Sequence, residues 1–213
     1  MLGAHTAILT ILALLLGGCT VASKPTATFR SETVLSDGFG PECHASNLVK
    51  LPDGSLAAAW FSGTKEGAND VVIRFTRQQP GSSQWTRPVT IAAHPGVPCW
   101  NPVLFVSANG SLTLFYKASK RIPDWEGWFS QSTDGGLTWS PRLPTPRSWE
   151  TSLEVPTLHR VVDAAGRRRI IMFSGLYPIR MAVTEDDGAT WGDLKPIGDF
   201  GGVVTMSTVI DLR

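Results

Sequence analysis

The chain has 213 residues, enough for one sizeable domain, and a net charge of +1. No basic stripe accompanies that near-neutral balance, which argues against a nucleic-acid partner. The 21 Gly and 15 Pro disfavour long helices and favour turn-rich β structure.

Taken in order, the chain opens with a targeting segment over residues 1–19. The run from Ala7 to Leu16 is almost wholly apolar and too short to cross a bilayer as a mature helix. It ends in Leu16-Gly17-Gly18-Cys19, which resembles the bacterial lipoprotein signal, with Cys19 as the lipidated residue. No Lys or Arg precedes the apolar run, so an ordinary secretory signal or a simple anchor is the alternative. Either reading exports the domain. The lipoprotein reading anchors it by acyl chains in the membrane of a bacterial cell envelope, on the periplasmic side or at the surface. Residues 20–28 (TVASKPTAT) are small and polar and read as a tether, which leaves 29–213 as the domain.

That domain is built from three segments with one grammar. The first has strands at 44–51, 55–61, 70–77 and 88–93, with a tight turn at 52–54 and a polar loop at 62–69. The second has strands at 101–107, 111–118 and 127–132, then a short one near Arg142. The third has strands at 155–162, 167–175 and 179–185, then one near Lys195. The turn glycines Gly54, Gly110 and Gly166 are spaced 56 and 56 residues apart, and such positions between apolar runs need positive φ. Residues 206–213 read as the first strand of a fourth segment, and 29–36 as a lone outer strand.

An eight-residue box recurs at the third-to-fourth connection. STDGGLTW at 132–139 and TEDDGATW at 184–191 share Ser/Thr-x-Asp-x-Gly-x-Thr-Trp, and a degenerate copy ends at Trp85. A repeat of about 50 residues with four antiparallel strands is the pattern of a β-propeller blade. The fold expected is therefore all-β, with about three complete four-stranded blades and two orphan strands. Three blades are too few to close a ring, so the chain reads as the N-terminal portion of a longer propeller. The boxes read as structural: Asp134 and Asp186 are placed to accept amides of their own loops.

The boxes resemble the Asp-box motif of sialidase-like (BNR repeat) propellers. Residues 40–67, 98–105, 114–117 and 173–191 look like the bacterial exo-sialidase-like branch of that superfamily. The resemblance implies the six-bladed sialidase type of propeller. It also implies an exo-sialidase-like glycoside hydrolase acting on terminal acidic sugars of glycans or glycoconjugates. A non-catalytic glycan-binding propeller and a propeller lyase acting on uronic-acid glycans are the alternatives. No cofactor is implied, and no Cys/His spacing supports a metal.

Propeller geometry gathers candidate residues on the rim opposite the boxes. Glu42, His44, Trp100, Asn101 and Glu154 come from the starts of first strands, where they would bind substrate. Glu66, Asp70 and Tyr177 come from loops between second and third strands; Glu66 or Asp70 is the candidate acid/base and Tyr177 the rim tyrosine. Arg180, Arg74 and Lys117 lie near the adjoining strand ends. The resemblance implies arginines that grip a sugar carboxylate through two-pronged contacts, with Arg180 the best candidate and Arg74 in the matching place of the first blade. It also implies a tyrosine nucleophile from a late blade, which would lie beyond Arg213. Arg121-Ile122-Pro123 stands in a second-blade loop, away from where the family carries its Arg-Ile-Pro signature. Cys43 and Cys99, 56 residues apart, could pair or stay free.

Overall fold

The computed structural model describes residues 31, 34, 39–145, 149, 154–175 and 178–201. Cys19, Tyr177, the segment 1–28 and the strand expected over 206–213 lie outside these residues, as does most of 29–36.

Among the described residues, twelve strands form three four-stranded antiparallel sheets, each a meander in chain order. The first sheet holds β1 (Glu42–Lys50), β2 (Leu56–Gly63), β3 (Val72–Gln78) and β4 (Val89–Ala92). The second holds β5 (Cys99–Val106), β6 (Leu112–Ala118), β7 (Glu126–Ser132) and β8 (Leu143–Pro144). The third holds β9 (Thr157–Val162), β10 (Arg168–Ser174), β11 (Ile179–Thr184) and β12 (Lys195–Gly198). The twelve strands expected of the three segments are present. β1 begins two residues earlier than the apolar pattern suggested, and a 3-10 turn at Ile122–Asp124 interrupts the second sheet's loop.

The three hairpin turns are built alike. Gly54, Gly110 and Gly166 sit at φ 83°, 85° and 77°, and each donates its amide three residues back, to Leu51, Ser107 and Asp163. A left-handed residue at the end of a three-residue hairpin loop matches the twist of the flanking strands, and glycine adopts it without steric cost.

The two full boxes also close identically. Asp134 accepts the Thr138 amide at 2.9 Å and the Thr138 hydroxyl, and Asp186 accepts the Thr190 amide at 2.9 Å and the Thr190 hydroxyl. Ser132 and Thr184 receive the amides of Gly136 and Gly188. These bonds favour the ionised carboxylate and hold both aspartates well below the usual range. At the degenerate copy hydroxyls take the place of the aspartate: Ser82 accepts the Gln84 amide and Thr86 the Arg77 amide, each at 3.0 Å, while Thr86 N–H donates to the Arg77 carbonyl at 2.7 Å.

Packing between sheets supplies the core. Phe61, Ile73 and Phe75 of the first sheet meet Leu112, Leu114 and Tyr116 of the second in one buried cluster. Phe115 turns to the other side and meets Met172, Ala182 and Trp149 in a second cluster. First strands of neighbouring sheets do not pair as a ladder, so side chains carry the link: the Asn47 carboxamide oxygen accepts the Leu104 amide at 2.9 Å. Arg160 of β9 reaches the Val106 carbonyl, and its partner Asp187 accepts the Ala108 amide.

Candidate functional site

The three first strands border a shared hollow of about 490 Å3, with Asn101, Val155 and Pro156 toward one end and Arg160 toward the other. β1 and β5 each carry a bulge near their start, between His44 and Asn47 and between Trp100 and Val103. Each bulge holds a non-glycine residue in the left-handed region, Ala45 at φ 52° and Asn101 at φ 43°. Such backbone costs on the order of 1–3 kcal/mol. It turns the strand starts so that Glu42, His44, Trp100 and Asn101 depart from simple alternation.

These starts meet the loops in one continuous arc. Glu42 accepts the Glu66 amide at 2.6 Å, and His44 Nδ1 lies 3.8 Å from the Glu66 carboxylate. The His44 ring meets Phe61 edge-on at 5.5 Å, and Phe61 meets Trp100 at 5.9 Å. Trp100 lies against Trp125 at 5.4 Å and donates its indole N–H to the Ser119 carbonyl. It is buried, because the loop at Gly67 closes over it. Trp100 is therefore a wall beneath the rim, not a surface platform.

Lys117 pairs with Trp100 across β5 and β6. It too is buried, which pushes its ammonium down to about 8 against the pull of Glu154. Glu154 is half-buried. Its carboxyl is raised by burial, opposed by an Asn101 hydrogen bond and by the Lys117 charge. The arc thus runs from Glu66 through Glu42 and His44, past the buried Trp100, to Asn101, Lys117 and Glu154, and touches all three sheets.

The arginines divide. Arg180 pairs with Ser174, whose hydroxyl donates to the Glu154 carbonyl at 2.8 Å, so Arg180 shares the face that packs toward the second sheet. Its guanidinium donates to the Pro178 carbonyl at 3.1 Å. Arg74 pairs with Trp60 and alternates with Ile73 and Phe75, which pack on the second sheet. It therefore faces away from the arc. There it bonds to the Ser62 and Thr90 hydroxyls and lines an open hollow with Asp70. The matching place expected for the two does not hold. Trp60 stands six residues past Gly54, whereas Ser174 stands eight past Gly166, so Arg180 is level with Val72.

Asp70 is occupied by its own loop, accepting the Thr64 amide and hydroxyl, each at 3.0 Å. Cys43 and Cys99 are free thiols, one exposed and one buried. Burial raises the Cys99 thiol to about 12. His94, which no sequence motif marks, and the buried strand residue Tyr116 bring their Nε2 and hydroxyl within 3.0 Å of each other between the first two sheets. Their spacing of 22 residues carries no sequence signal.

Three meandering sheets with this packing define an all-β protein that shares its fold with sialidases. An intramolecular trans-sialidase from leech, solved with 2,7-anhydro-Neu5Ac, superposes with a TM-score of 0.62 at 12% identity, over 83% of this chain and 47% of its own. An intramolecular trans-sialidase from Ruminococcus gnavus gives 0.58 at 11% identity, over 76% and 62%. A Dyadobacter fermentans protein of unknown function gives 0.54 at 17% identity, over 73% and 54%. The chain therefore spans about half the length of these solved proteins. The profile of the BNR repeat-like domain matches residues 54–211, and the chain belongs to that family. No match is found among curated proteins.

Proposed function

We propose that the chain contributes three blades of a β-propeller glycoside hydrolase that acts on terminal acidic sugars of glycans, in the manner of an exo-sialidase. One observation carries this reading. Three carboxylates (Glu66, Glu42 and Glu154), an imidazole, an amide and a lysine lie along a single arc backed by the Trp100 and Trp125 indoles. In this reading Glu66, Glu42 and His44 face the sugar with acid/base groups, and Lys117 and Arg180 supply positive charge for a sugar carboxylate. Glu154, its carboxyl raised by burial, is a second candidate proton donor. Tyr177, outside the described residues, stays a candidate from the sequence alone.

Turnover of a fluorogenic sialoside by a full-length propeller that carries these three blades, lost in Glu66→Gln and weakened in Arg180→Ala, is the expected result. No sialoside turnover together with cleavage of another glycoside would sink the substrate assignment. A glycan-binding propeller without hydrolysis is the second reading, favoured by the hold of Thr64 on Asp70 and by the turning away of Arg74 from the arc. Glycan-array binding that Arg180→Ala abolishes, with no hydrolysis of any bound glycan, would support it.

Export rests on residues 1–19, with Cys19 as the acylated anchor to a bacterial envelope membrane. Labelled fatty acid should enter the wild-type chain and not Cys19→Ser.

A further inference from the structure

A cleft of about 230 Å3 opens between the second and third sheets, at the end that carries the boxes. Thr113 in this cleft and Lys117 in the arc are four residues apart on β6, about 13 Å along the strand. The cleft is therefore separate from the arc. Its walls are aromatic. Phe115 lies 6.2 Å from both Phe129 and Trp149, and Trp149 meets Trp191 edge-on at 5.4 Å. Trp149 Nε1 is buried and has no hydrogen-bond partner. Thr113, Gln131 and Thr190 add hydroxyl and amide groups to the lining, and Asp187 a carboxylate.

The same place between the first and second sheets is filled. There a Cβ on Gly136 would come within 2.2 Å of the Phe75 ring, and one on Gly135 within 2.7 Å of the Arg77 guanidinium. The second box departs at two points. Asp187 replaces the counterpart of Gly135, adopts φ 57°, and turns its carboxylate to Ala108 and Arg160. Gln131 stands where Arg77 does, opposite Thr113 as Arg77 stands opposite Ala57. The nearest atoms to a Cβ on Gly188 belong to its own Trp191, 3.7 Å away. Two sequence differences thus leave open the space that Arg77 and the tight box contact occupy between the first pair of sheets.

We propose that this cleft binds one neutral saccharide ring. The C–H face of a pyranose packs on aromatic rings, while its hydroxyl edge bonds to amide and hydroxyl groups. The volume falls below the roughly 300–1,000 Å3 of sites for drug-sized ligands, which limits the occupant to a single ring. Asp187 is already paired with Arg160 at 3.2 Å, and the lining of the cleft among the described residues offers no Lys or Arg to hold an anionic sugar. The inference does not rest on the activity assigned to the arc.

The test is titration of the chain with D-galactose, followed by tryptophan emission and by saturation-transfer NMR, with N-acetylneuraminic acid in parallel. Galactose binding on the millimolar scale is expected, since a single ring buries little surface. Gln131→Leu and Thr113→Leu should each weaken it by about fivefold or more. Gln131 is exposed, so its variant should fold, which circular dichroism checks. No galactose signal in the wild type, or binding unchanged in both variants, overturns the proposal. An acidic-sugar signal that disappears in Gln131→Leu overturns the assignment to a neutral sugar.

Discussion

Lys117 is the residue whose character the fold alters most. Its long stem lies beside Trp100, and burial drives its ammonium down to about 8 while Glu154 opposes the shift. Glu154→Gln removes that opposing charge, so the Lys117 titration should move lower still. NMR of the reductively methylated, isotope-labelled protein reads this directly, and an unchanged or raised value would contradict the pairing. Lys117→Met should destabilise the protein by about 1–3 kcal/mol, because removing one partner leaves the Glu154 charge uncompensated, and Glu154 is only half-buried. In that variant Glu154 loses its attractive partner, and its carboxyl should rise further. From the sequence Lys117 was recognisable as a polar residue near the rim. Its burial was not, since that comes from Trp100 and from the third sheet, more than 30 residues further along the chain.

Elements were legible because each obeys local rules. Alternating apolar residues, glycine turns and boxes marked all three sheets in advance. Bulges were not marked, since a bulge is a property of two strands in register. Ala45 carries the cost of φ 52°, and its half-buried methyl packs against the core. Ala45→Gly should therefore leave stability within about 0.5 kcal/mol of the wild type, the relief of left-handed strain being offset by the entropy of glycine and the lost methyl packing. The boxes offer a sharper contrast. Gly136→Ala places a Cβ within 2.2 Å of Phe75 at φ 92°, and should cost about 3 kcal/mol or more. Gly81→Ala, at φ 74° with nothing within 4 Å, should cost only about 1 kcal/mol. Urea midpoints of the two variants compare them, and equal losses would remove the role given to the box contact.

At the scale of the whole molecule, pH acts through groups buried between sheets. Burial, with the Arg142 charge added, pushes the His94 imidazole below its usual value. Its contribution to stability is thus fully present above the unfolded pKa near 6.5, and is lost as pH falls below that value. Melting temperature should drop as pH is lowered from roughly 7 to 5, and His94→Gln should flatten that slope. A slope unchanged in the variant would assign the effect elsewhere. Cys99 acts at the other end: its thiol is raised to about 12, so stability should decline as pH rises above about 9, where the unfolded thiol ionises. The sequence by itself determined the repeat, the strand order and the family, because alternation, turn glycines and box aspartates act over a few residues. Tertiary structure alone decided which polar groups meet. It buried Trp100 and Lys117, set Arg180 on the face toward Glu154, and turned Arg74 away. The physical reason is register. A shift of two residues keeps a side chain on the same face but moves it along the strand, and only the packed neighbour decides what that face meets.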